Sequence, residues 1–135
     1  MGQQLFLLGG HDLEMLTIRS LLEKNHIPYK DHALSWHNAY LSNYSQDMTE
    51  ATHFTIYGVE LMEDITPVAS YHRIDHHNQW AHLPSALEQV ASILSVPMNR
   101  YLQLVSANDR AYIPGMEQLG ATTEEIATIR QADRA

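Results

Sequence analysis

The residues best suited to chemistry fall into four short groups: His11-Asp12-Leu13-Glu14, Glu60, Asp75-His76-His77-Asn78 and Asn108-Asp109-Arg110. Carboxylates and imidazoles are the oxygen and nitrogen ligands of Mn²⁺, Mg²⁺ and Zn²⁺. The 135 residues include no cysteine, which excludes thiolate sites and disulfides, while nine histidines keep His/carboxylate sites open. Two such ions about 3.5–4 Å apart would clamp a phosphoryl group and deprotonate a bridging water. That chemistry requires a fold that gathers the four groups at one place.

The elements around them supply such a fold. Leu5-Phe6-Leu7-Leu8 reads as a buried strand ended by Gly9-Gly10. A helix is expected from Asp12 to Asn25, with Met15, Ile18 and Leu22 on one face, and Pro28 blocks its continuation. Ile27 to Tyr29 begins a second strand, Phe54 to Val59 forms a third, and Tyr71 to Asp75 a fourth. Residues 35–48 form a short helix or ordered loop in which Trp36, Tyr40 and Tyr44, at helical spacing, are expected to pack rather than to stack on a base. Ser85 with Glu88 and Thr122 with Glu125 have capping-box spacing and start two helices, and a further helix is expected over residues 99–106. Tyr112-Ile113-Pro114-Gly115 reads as a turn. Strand–helix alternation followed by helices predicts an α/β three-layer sandwich, with a mainly parallel sheet of four or five strands flanked by helices. In such sheets ligands gather at the carboxyl edge, where the first three groups would emerge.

Arg73-Ile74-Asp75-His76-His77-Asn78 resembles the signature of the DHH phosphoesterase family. His11-Asp12-Leu13-Glu14, Val59-Glu60 and Asn108-Asp109-Arg110 resemble that family's first, second and fourth motifs in order and spacing. The resemblance implies a metal-dependent phosphoesterase acting on a small phosphate-containing substrate, such as a short oligonucleotide or nucleotide. Asp12, Glu14, Glu60, His76 and Asp109 would hold one or two divalent cations, Mn²⁺ in first place and Mg²⁺ in second. Asp75 would be a ligand or the residue that orients the histidines, and His77 would face the phosphate. Arg110 has the planar fork that suits phosphate oxygens. The chain departs from the pattern in three ways. Leu8 stands where a histidine is usual, with His11 as its substitute across the turn; Glu14 and Glu60 replace aspartates; and residues 1–135 hold a single DHH-like domain without the usual C-terminal substrate domain.

Simpler readings compete at several positions. Asp12 suits a helix N-cap, Glu63 or Asp64 could serve in place of Glu60, and Asp109-Arg110 suits a surface ion pair. His26, His32, His37, His53, His72 and His82 show no ligand spacing, and Trp80 is expected to be buried. The alternative function is a degenerate DHH-like domain that binds a ligand or protein without turnover, or one domain of a longer protein. Eight Lys+Arg against sixteen Asp+Glu give a formal net charge of -8, which disfavours duplex nucleic acid as partner. No stretch reaches membrane-span length and the Met1-Gly2 start carries no targeting signal, so a cytoplasmic protein is expected. A homodimer is an expectation of size alone.

Overall fold

The computed structural model describes residues 3–134; Met1 and Gly2, part of the stretch considered for targeting, and Ala135 lie outside the described residues. Four strands, β1 (Gln3–Leu8), β2 (Tyr29–Asp31), β3 (Phe54–Val59) and β4 (Tyr71–Ile74), form one parallel sheet in the order β2-β1-β3-β4. Parallel strands need crossovers. Helix α1 (Leu13–Lys24) links β1 to β2, and α2 (Ser45–Glu50) with two 3₁₀ turns (Trp36–Asn38 and Leu41–Tyr44) lies between β2 and β3. The chain ends in α3 (Ala86–Leu94), α4 (Arg100–Gln118) and α5 (Thr123–Arg134). This is the expected α/β sandwich.

The central strand β1 is apolar without alternation because both faces of the sheet are covered. Phe6 and Leu8 enter a core with Ile18, Leu22, Leu87, Val105 and Ile129 from the helices. Leu5 and Leu7 face the opposite way, into a second core with Leu41, Tyr44 and Met48. Both predicted capping boxes form: Ser85 Oγ accepts from the Glu88 amide at 3.1 Å, and Thr122 Oγ1 accepts from the Glu125 amide at 3.1 Å. Among the described residues, no helix is long and apolar enough to cross a membrane.

Three expectations need correction. The second strand starts at Tyr29, not Ile27, because Pro28 cannot donate to a ladder. The helix begun at residue 99 does not stop near 106; it continues to the site and breaks only at Ala111 and Tyr112, where Tyr112 adopts a left-handed φ of 51°. Pro114 then lies in the first turn of the resumed helix, where its missing amide costs nothing. Finally, Trp36 is 68% exposed and Tyr40 is 38% exposed; only Tyr44 packs fully.

Strand register places the site. Leu8 pairs with Val59, and Val59 with Ile74, so the next residues of the three strands, Gly9, Glu60 and Asp75, leave the sheet side by side. Gly9 is required there, since a Cβ would stand 2.5 Å from the carbonyl oxygens of both Val59 and Glu60. Gly9→Ala is therefore expected to destabilise the fold by about 1–3 kcal/mol through overpacking. Urea unfolding checks this, with the change in midpoint rather than in slope as the readout.

Candidate metal centre

Each side chain of the cluster is held by a separate element. Glu14, in the first turn of α1, is 1% exposed. Its Oε2 accepts from the Leu87 amide at 3.2 Å, so it also caps the start of α3, where the helix dipole favours an anion. Glu60 follows β3 with a φ of 56°, a left-handed backbone that costs a non-glycine residue about 1–3 kcal/mol. That turn brings its Oε2 to 3.1 Å from Nδ1 of His77. His76 follows β4, and Asp109 lies in the last turn of α4 before the break.

Four buried atoms, Glu14 Oε1, Glu60 Oε1, His76 Nε2 and Asp109 Oδ2, have no hydrogen-bond partner. His76 Nε2 stands 2.8 Å from Asp109 Oδ2 and 3.5 Å from Glu14 Oε1, yet neither contact has hydrogen-bond geometry. Buried polar atoms are almost always satisfied, so each orphan calls for a partner such as a water or an ion, and Tyr71 Oη and Arg73 Nε are orphans of the same kind. Three of these atoms, on Glu14, His76 and Asp109, come from separate elements and lie close enough together to be ligands of one cation. Two candidate ligand groups result, Glu14/His76/Asp109 and Glu60/His76/His77, each with ligand atoms within 4.8 Å of one another, and they share His76. Three carboxylates and one or two imidazoles form a mainly hard, oxygen-rich donor set.

Charge in the cluster follows from burial and pairing. Burial raises the pKa of Glu14 and of Asp109, against the pull of His76. For His76 burial opposes the charged form, but Asp109 and Glu14 outweigh it and carry the pKa up to about 10. Asp75 and Glu60 likewise raise His77 to about 10. Both rings therefore stay protonated through neutral pH in the metal-free protein. A cation must displace the proton at His76, so its apparent affinity is expected to rise with pH below about 10, by up to about tenfold per unit for each proton released. Mn²⁺ calorimetry between pH 6.5 and 8.5 in buffers of different ionisation enthalpy checks both the slope and the proton count.

Asp75 stands outside both ligand groups. Its Oδ1 accepts from the amides of His76 (2.8 Å) and His77 (3.0 Å) and lies 3.2 Å from His77 Nδ1; its Oδ2 accepts from Arg73 at 3.1 Å. With both oxygens engaged, its ligand role gives way to orienting the histidines. Its pKa falls because the His77 and Arg73 contacts outweigh the effect of burial. Asp75→Asn is expected to weaken metal binding by about 10–100-fold, the usual cost of losing an outer partner; a competition titration with a metal indicator measures it.

Asp12 is also outside both groups. It is the N-cap of α1, accepting from the Met15 amide at 2.9 Å, and burial lifts its pKa to about 6. The capping alternative is the role the structure gives it. His11 does not substitute for a histidine at position 8: its Nδ1 is bonded to the Leu34 carbonyl at 2.9 Å, and Leu8 is wholly buried in the core. Arg110 does not join the cluster. Adjacent helix residues point about 100° apart, and Arg110 instead donates to the Leu83 carbonyl at 2.8 Å and lines a separate cavity of about 720 Å³. Of the substitutes for Glu60, Glu63 pairs with Arg73 and Asp64 accepts from the Ser42 amide, so neither is free for the site.

Three residues were not marked by spacing. Arg73 bridges Glu63 and Asp75 and lies 3.7 Å from the centre of the half-exposed Trp80 ring. Gln89 donates to the Asp75 carbonyl at 2.9 Å and so ties α3 to the site. Asp133, on α5, accepts from the Leu13 amide at 3.4 Å and from Asn108 at 3.1 Å, beside Asp12 and Asp109. Next to the cluster lies an open cavity of about 420 Å³ lined by Gly9, Gly10, Asp12, Trp36 and Glu60 among others. No family model, no curated protein and no solved structure matches the chain.

Proposed function

We propose that this protein is a divalent-metal-dependent phosphoesterase of the DHH type, acting on a small phosphoester, with Mn²⁺ as the ion. The observation that carries the reading is the pair of candidate ligand groups, Glu14/His76/Asp109 and Glu60/His76/His77, at the carboxyl edge of a parallel sheet and next to an open cavity. When bound, the ion supplies Lewis acidity toward a phosphoryl oxygen and lowers the pKa of a water near it. The chain supplies the rest. His77 is held by Glu60 and Asp75 through Nδ1, which leaves Nε2 as the nitrogen available to a phosphoryl oxygen. As an imidazolium it offsets charge that builds on the equatorial oxygens. Glu60, backed by the fixed turn after β3, sets the distance between the metal position and His77.

One ion is favoured over two. The two candidate ligand groups share His76, so they compete for one imidazole. The test is hydrolysis of a generic aryl phosphodiester with Mn²⁺, with and without chelator. Metal-dependent turnover is expected; metal binding without turnover would move the protein to the degenerate, ligand-binding reading.

A further inference from the structure

Trp36 is the feature that the proposed chemistry leaves unused. Its indole is 68% exposed, although a tryptophan is one of the largest apolar surfaces a chain can bury. It sits on the 3₁₀ turn after β2, which Ser35 and Asn38 pin by a capping box. Its ring meets that of His77 edge-on, with centroids 5.1 Å apart and planes at 75°. It also lines the cavity beside Glu60 and Gly9. An aromatic ring thus stands next to the imidazole assigned to the phosphoryl group, with most of its surface in water.

The lining of that cavity holds no lysine or arginine among the described residues. A second phosphate would find no guanidinium or ammonium there, and Asp12 and Asp133 would repel it. Ser35, His11 and His37 also line the cavity and offer hydrogen bonds, and Trp36 is the one large flat apolar surface among the described lining residues. Stacking on an indole supplies recognition without sequence or hydrogen-bond requirements, since every nucleobase has a π-face.

We infer that Trp36 is a specificity-determining residue: it stacks on a planar ring, such as a nucleobase, carried by the phosphoester held at the metal centre, and so selects ring-bearing monoesters or diesters over ring-free phosphates and pyrophosphate. This rests on the phosphoesterase reading. The test is calorimetric binding with Mn²⁺ present, using three ligands that resist hydrolysis: the phosphonate analogue of adenosine monophosphate, methylphosphonate and imidodiphosphate. The wild-type protein is expected to bind the adenosine ligand about tenfold or more tighter than methylphosphonate. Trp36→Phe keeps most of that preference. Trp36→Ala reduces it to within about twofold while its Mn²⁺-induced rise in melting temperature persists. Imidodiphosphate gains nothing over methylphosphonate. A preference equal in wild type and Trp36→Ala, or none in the wild type, overturns the stacking role while leaving the phosphate site standing. If Mn²⁺ binds but none of the three ligands does, the phosphoesterase reading falls and takes the inference with it.

Discussion

His76→Ala is expected to abolish Mn²⁺-dependent hydrolysis and to erase the gain in melting temperature that millimolar Mn²⁺ gives the wild-type protein. His76 belongs to both candidate ligand groups, so its loss breaks each of them at once. The stabilisation by metal follows mass action: an ion at 100 times its dissociation constant adds about 2.7 kcal/mol, several degrees for a chain of this size. Without the ring, Glu14 and Asp109 face one another with no intervening cation, and their repulsion destabilises the folded state. The variant therefore starts from a lower melting temperature and does not respond to metal. Unchanged hydrolysis in His76→Ala would remove it from the reaction.

The second large effect is expected from Glu14→Gln. The amide oxygen of glutamine can still accept from the Leu87 amide, so the start of α3 stays capped and the fold is retained. What disappears is a buried negative charge with an unpartnered oxygen toward His76. A loss of more than about 100-fold in Mn²⁺ affinity is expected, above the 10–100-fold typical of an outer partner such as Asp75. The two variants separate ligand from support. Calorimetric titration of Glu14→Gln against Asp75→Asn reads the difference, and equal affinities would show that Glu14 supports the site, as Asp75 does, rather than binding the ion.

Much of this architecture is legible in the residues themselves, for identifiable reasons. β1 and β3 are short, largely apolar runs closed by Gly9 and Glu60, and the register of parallel strands does the rest: Gly9, Glu60 and Asp75 emerge together because Leu8, Val59 and Ile74 are neighbours. Capping boxes are local and were readable at Ser85 and Thr122 for the same reason. What local pattern cannot show is direction. Arg110 follows Asp109 in sequence but leaves the helix on another side. Asp12 and Glu14 are two apart; one turns to the helix amides and the other to the core of the site. Trp36, Tyr40 and Tyr44 have helical spacing, but the segment forms two separate 3₁₀ turns, so the three rings do not share a face. Asp133 and Gln89 come to the site only through the packing of the last three helices, which no short window contains.

The acidic balance of the chain also gains a location. Asp12, Glu14, Glu60, Asp75 and Asp109 are all at or beside the cluster, and Asp133 adds a sixth carboxylate. Against them stand His76, His77 and Arg73. Exchange of a ring proton for a divalent ion raises the positive charge where a phosphate must bind, although the chain as a whole carries -8.

The most direct measurement is anomalous diffraction from crystals grown with Mn²⁺. A peak is predicted within about 2.0–2.3 Å of Glu14 Oε1, His76 Nε2 and Asp109 Oδ2 together. A crystal without that peak at millimolar Mn²⁺, or with the ion bound elsewhere, would contradict the account.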